Sequence, residues 1–243
     1  MGHGLVFDVV IPSALRPSLA WLLASLGRCE EPLPRAVIVA ADAHGHLPEI
    51  PAALADRVRL VRGARRGPAA ARNAGWRAAA GAAWVAFLDD DVVVPPDWTR
   101  RLVADLARLD GAVAGSQGRV RVPLPEGRRP TDWERNVAGL ANARWATADM
   151  AYRRSPLRLV GGFDESFPRA YREDADVALR LLGAGFRLVQ GDREVVHPVG
   201  PSGFWASVRA QAGNADDAVM AARHGRGWRA RAGAPPGRRP LHA

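Results

Sequence analysis

The sequence predicts an α/β fold with a mostly parallel central sheet, and three observations carry that prediction. Short apolar runs bounded by proline or glycine recur along the first 110 residues, helix-forming stretches stand between them, and one run ends abruptly in three consecutive aspartates. Strand, helix, strand, strand, helix, strand at such spacing builds a parallel sheet with helices on its faces.

Taken in order, Val6 to Ile11 reads as a buried strand stopped by Pro12. Ser18 to Leu26 has the apolar spacing of a short helix, with Gly27 suited to its end. Ala36 to Ala41 is a second strand, a polar loop covers Asp42 to Pro51, and Arg57 to Val61 is a third strand. Pro68 to Ala80 is an alanine-rich helix whose proline falls in the first turn, where its missing N–H costs nothing. Trp84 to Leu88 is a fourth strand, followed by a helix from Asp97 to Leu109. The alternation fades after Gly111. Beyond it the sequence predicts a loop over Pro123 to Pro130, helices over Trp133 to Arg144, Glu173 to Leu182 and Phe204 to His224, and strands over Ala148 to Tyr152 and Arg187 to Gln190.

Composition bounds the answer. Nearly half of the 243 residues are hydrophobic, enough for a full core in a single domain. No apolar stretch approaches the roughly 20 residues that span a bilayer, and the N-terminus lacks the layout of a signal peptide, so a cytoplasmic protein is expected. Cys29 is the one cysteine, which excludes an internal disulfide and a cysteine metal cage. The net charge of +9 is uneven: Arg223 to Ala243 carries six arginines and no acid, while the body is only mildly basic. All 34 cations are arginine, a bias that weakens any single arginine as a signal. From Gly225 onward glycine and proline predict a flexible tail, dispensable for chemistry and suited to weak contact with an anionic membrane surface.

Three segments carry chemistry. Asp89-Asp90-Asp91 repel one another at the end of a buried strand, where open α/β sheets bind ligands. Hard cations prefer such carboxylates; a solvated acidic turn is the bland alternative. Gly67 to Gly75 opens a helix with small residues and adds Arg72 and Asn73 as donors, though close packing on a sheet explains it equally. Gly161 to Glu165 and Arg172 to Asp176 bring paired acids to a helix start, where they serve a site or merely the helix dipole.

Five motifs in order give the chain its resemblance: Val9-Val10-Ile11-Pro12, Ala71-Arg72-Asn73-Ala74-Gly75, Phe87-Leu88-Asp89-Asp90-Asp91, Val160-Gly161-Gly162-Phe163-Asp164-Glu165, and Glu173-Asp174 followed by Leu179-Arg180. Over roughly residues 6 to 200 the chain resembles a family-2 glycosyltransferase of the GT-A fold, like bacterial nucleotide-sugar-dependent members of cell-envelope or natural-product glycosylation. The resemblance implies a Rossmann-like single domain over 1–224, with a donor half (1–110), an acceptor half (111–224) and the basic tail beyond. It implies a nucleotide diphosphate-sugar donor, a divalent metal (Mn²⁺ or Mg²⁺), and inverting transfer to a glycan, lipid-linked or small-molecule acceptor. Asp91 would ligate the metal; Asp89 would contact the donor ribose or the metal; His197 matches a further ligand in some members. Pro12, Ser13, Asp42, Arg72 and Asp90 fall in the donor site, Asp174 matches the catalytic base, and Glu173 supports it. Two departures bear on base recognition: Ser13-Ala14-Leu15 stand where the family has Thr-Tyr-Asn, and Ala41-Asp42-Ala43 where it often has two acids and a glycine. Whether Asp42 or the Ala41 position faces the base stays open.

Two rival readings meet the sequence less well. A nucleotidyltransferase would need a glycine-rich basic loop after the first strand, where Pro12-Ser13-Ala14-Leu15-Arg16-Pro17 stands instead. A basic nucleic-acid or membrane-surface binding protein would interleave its charges with aromatics, and here only Trp228 does so; no nucleic-acid partner is expected. Pro123 to Thr147 and Pro201 to His224 are expected to shape the acceptor site, with Asn214, Asp216 and Asp217 on a helix face turned to it or to solvent.

Overall fold

The computed structural model of the chain describes residues 5–63, 65–200 and 215–234. Seven strands, β1 (Phe7–Ser13), β2 (Val37–Ala41), β3 (Val58–Arg62), β4 (Trp84–Leu88), β5 (Val113–Arg121), β6 (Asp149–Arg153) and β7 (Arg187–Val196), form one sheet. Their order is β3-β2-β1-β4-β6-β5-β7. The strands β1 to β4 run parallel, β6 is antiparallel to both neighbours, and β5 runs parallel to β7. The carboxyl ends of β1, β2, β4 and β7 therefore meet at one edge.

Period-2 alternation sorts the core. Val9, Ile11, Trp84, Ala86 and Leu88 turn to one face, covered by α1 (Ser18–Leu26) and α3 (Trp98–Ala107). Val10, Ile38, Val85 and Phe87 turn to the other, covered by α2 (Pro68–Ala78), α5 (Arg154–Leu159) and α6 (Glu173–Gly183). Helix α2 lies close because of Gly75: a Cβ there would stand 2.4 Å from Val10 Cγ1. The small-residue stripe thus serves helix-on-sheet packing.

Several expectations are corrected. The strand from Phe7 runs through Pro12 to Ser13 rather than stopping before it; pairing with β4 ends at Val10, so proline falls where only β2 flanks the strand and no N–H is missed. The nine-residue β5 lies where the alternation fades. It is buried on both faces over its first six residues, so its sequence does not alternate, and two glycines interrupt it. Gly118 is required there, since a Cβ would fall 2.1 Å from Asp149 Oδ2. β7 continues past Gln190 to Val196 across a register irregularity against β5. Trp133 to Arg144 divides into α4 (Asp132–Ala138), opened by a Thr131–Glu134 capping box, and a 3₁₀ turn Gly139–Asn142.

Near the C-terminus, α7 (Asp216–His224) and α8 (Trp228–Ala232) are helical. The expectation of no regular structure past Gly225 fails over α8, because Trp228 is buried at 2 % exposure with Phe167, Met220 and Leu179. Residues 201–214, with Asn214 and the start of the helix expected from Phe204, and 235–243 lie outside the described residues. Among the described residues no helix is long and apolar enough to cross a membrane.

Candidate active site

A cavity of about 380 Å³ opens at the carboxyl edge of the sheet, lined by residues that β1, β2, α2, β4 and β7 deliver there. Of the sequence-predicted residues it gathers Pro12, Ser13, Asp42, Arg72, Asp89, Asp90, Asp91 and His197. Pro68 and Ala71, from the small-residue helix start, line it too, and sequence reasoning missed Ala14, Arg16 and Ala170.

Asp89 and Asp91 follow β4 directly, and His197 follows β7, which reaches this edge through the Val93–Val196 bridge. One ligand atom from each of the three lies within 4.8 Å of the others. Two carboxylate oxygens and an imidazole nitrogen at that spacing suit Mn²⁺ or Mg²⁺, the nitrogen favouring the former. His197 Nε2 stands 3.2 Å from Asp91 Oδ1. Burial works against both charges, yet the hydrogen bond and charge of His197 hold Asp91 below its ordinary pKa. Asp91 in turn holds the imidazole above its own. Asp89 is pushed up by burial first and by Asp91, against the pull of Arg72.

The middle aspartate points elsewhere. Asp90 is 2 % exposed, accepts a 2.6 Å hydrogen bond from Ser13 Oγ, and pairs with Arg16, whose guanidinium also reaches Asp91 Oδ2 at 3.4 Å. It ties the β1 loop to the β4 loop. Asp42 accepts from the Gly67 N–H at 2.9 Å through Oδ2, while its buried Oδ1 has no partner. Ala41 is buried in the strand, so Asp42 is the residue that faces the cavity.

Two motifs are knitted through α2. Arg72 is 3 % exposed and donates to Glu173 Oε1 at 2.6 Å and to Asp89 Oδ1 at 3.0 Å. Next to it, Asn73 exchanges hydrogen bonds with the Phe163 backbone at 2.8 and 2.9 Å and donates to Glu165 at 2.8 Å. The acid-bearing segments at 161–165 and 173–174 are thereby fixed to the helix beside the cavity.

Glu173 is fully engaged, accepting from Arg72 and from the Tyr171 N–H. Asp174 is absent from the cavity lining and partly buried; among the described residues it accepts one hydrogen bond, from the adjacent Ala175 N–H. Burial first, and the neighbouring Glu173 charge second, push its pKa up to about 7. No side chain caps α6 from Arg172, while Glu173, Asp174 and Asp176 all lie in its first turn, where they also favour the helix dipole. Asp149 and Asp176 are committed elsewhere, Asp149 to Arg193 and Trp98, Asp176 to Arg180 and His224.

A mostly parallel seven-strand sheet with an acidic, histidine-bearing cavity at its carboxyl edge defines the class, the GT-A fold. The chain belongs to glycosyl transferase family 2, whose profile matches residues 8–176. Comparison with curated proteins finds no match. Among solved structures, the mannosyltransferase PcManGT from Pyrobaculum calidifontis, in complex with GDP-Man and Mn²⁺, superposes with a TM-score of 0.62 at 22% identity, covering 89% of this chain and 64% of that one. GalNAc-T7 with UDP, GalNAc and Mn²⁺ gives 0.61 at 16%, covering 81% and 44%. TarS of S. aureus gives 0.60 at 16%, covering 86% and 39%. At these identities the likeness is one of fold, and the chain spans less than two thirds of each.

Proposed function

We propose that the chain transfers a sugar from a nucleotide diphosphate-sugar to an acceptor hydroxyl or amine, with inversion and with a divalent metal. The observation that carries this reading is the convergence of Asp89, Asp91 and His197 on one cavity in a family-2 chain. The solved neighbours PcManGT and GalNAc-T7 hold Mn²⁺ beside a nucleotide or nucleotide sugar, which supports the same donor class here.

In this reading Asp91 and His197 hold the metal, with Asp89 on the metal or the donor ribose. A cation held there would supply positive charge to the diphosphate leaving group. Asp42, with its unpartnered Oδ1, accepts from the nucleobase beside Pro12 and Ser13. Arg72 adds positive charge near the phosphates while Glu173 keeps it in place. Asp90 acts at one remove, by holding Ser13 and Arg16. Asp174 takes the proton from the acceptor as that oxygen or nitrogen attacks from the face opposite the leaving group. The acceptor, whether glycan, lipid-linked or small molecule, would lie against the second half of the chain.

The test is nucleoside diphosphate release from a panel of nucleotide sugars, with Mn²⁺ or Mg²⁺ and with chelator. One donor class turned over in a metal-dependent way is expected. A folded sample that releases diphosphate from no donor under either metal would overturn the reading.

A further inference from the structure

A second recess, about 310 Å³ in volume, is lined by Ala83, Arg153, Arg154, Ser155 and Arg158. It lies at the opposite end of the sheet from the active site. Arg153 is paired in register with Trp84, the first residue of β4, whereas Asp89 follows the last, a separation of about 16 Å along the strand.

The charges here are not neutralised. Arg153 stacks 4.5 Å over the Trp84 ring and donates to the carbonyls of Leu109, Asp110 and Val113, which satisfy its N–H groups but not its charge. Arg154 donates to the Ala80 carbonyl, and its buried Nε has no hydrogen-bond partner. Arg158 is exposed. Among the described residues none of the three has a carboxylate partner, and the nearby acids are committed, Asp8 to Arg35 and Asp110 to Arg187. Arg57, Arg62 and Arg65 also bond without a carboxylate, but here three such arginines line one recess, whereas Arg16, Arg35, Arg72, Arg172, Arg180 and Arg193 all sit on carboxylates.

We propose that this recess is an anion-binding site for a phosphate ester, separate from the donor cavity. Guanidinium groups without a carboxylate partner match phosphate oxygens in charge and in geometry. Leu159, 70 % exposed at the end of the same short helix, would rest on the acyl region if the phosphate belongs to a lipid headgroup.

The probe is pyrophosphate, titrated calorimetrically into the full chain in chelator, which keeps divalent metal out of the donor cavity. Saturable binding that falls at least tenfold in the Arg154→Ala, Arg158→Ala double variant, and that persists in Arg16→Ala in the donor cavity, is expected. Unchanged thermal midpoints show that the variants fold. Sedimentation with phosphatidylcholine vesicles, with and without phosphatidic acid, separates the sources. Capture only by phosphatidic acid, lost in the double variant, identifies a lipid headgroup; pyrophosphate binding without capture points to a soluble phosphate compound. No binding in either arm, or binding that the double variant leaves intact, overturns the proposal. Donor turnover is measured separately, so failure here leaves the transfer reading standing.

Discussion

Glu173 and Asp174 are like charges side by side, and their contacts separate them. Glu173 is consumed by Arg72 and the Tyr171 backbone, whereas Asp174 keeps an oxygen free of hydrogen bonds among the described residues and a pKa raised to about 7. Asp174→Asn keeps the shape but takes no proton. Turnover should fall by ~10² to 10⁴-fold while calorimetric donor affinity stays near the parent's. Because the raised pKa belongs to the acid form, the fraction able to accept a proton grows as pH rises. The parent's turnover should therefore climb with pH through about 7 and then level, and a flat profile across that range would remove Asp174 from the reaction. The aspartates were legible in the sequence because three adjacent carboxylates have no stabilising purpose at a strand end. Arg16 was not, since one arginine among 34 carries no signal until its contact with Asp90 and Asp91 is seen. Nor was Arg193, which is wholly buried and holds Asp149 and Asp105 between β7, β6 and α3.

At the scale of elements, the strands and helices of the first 110 residues were readable because β2 and β4 are continuous apolar runs, β1 is one from Val9 to Ile11, and β3 alternates apolar residues with arginine. β5 was not, because Gly115 and Gly118 yield their side-chain space to Met150, Tyr152 and Asp149. The last helix, α8, was misread for a different reason: glycine, proline and arginine suggested a solvated tail, but one tryptophan anchors it. Arg172 lies 4.2 Å from the Tyr171 ring centroid and 5.0 Å from that of Trp228, and pairs with Asp217 at 2.7 Å. His224 meets Asp176 at 2.8 Å on α6. Helices α7 and α8 thus clasp the loop that leads into Glu173 and Asp174. Trp228→Ala should cost about 3 kcal/mol in chemical denaturation, the usual size for an excavated buried tryptophan. Arg226→Ala, exposed two residues earlier, should cost less than about 0.5 kcal/mol. Equal effects would mean that basic charge, not the buried ring, holds the segment.

For the whole molecule, sheet order explains how five modest motifs become one site. Parallel β1, β2 and β4 present their carboxyl ends together, and antiparallel β6 lets β7 return in the same direction to deliver His197. A histidine over 100 residues from the aspartates was therefore identifiable from sequence only by resemblance. The central claim is that these groups bind a metal on which sugar transfer depends. Its most direct measurement is donor turnover by the parent and by Asp91→Ala, first in chelator and then after Mn²⁺ is restored. The parent should fall silent in chelator and recover with Mn²⁺, while the folded variant stays silent in both. Full turnover by the parent in chelator would contradict the claim.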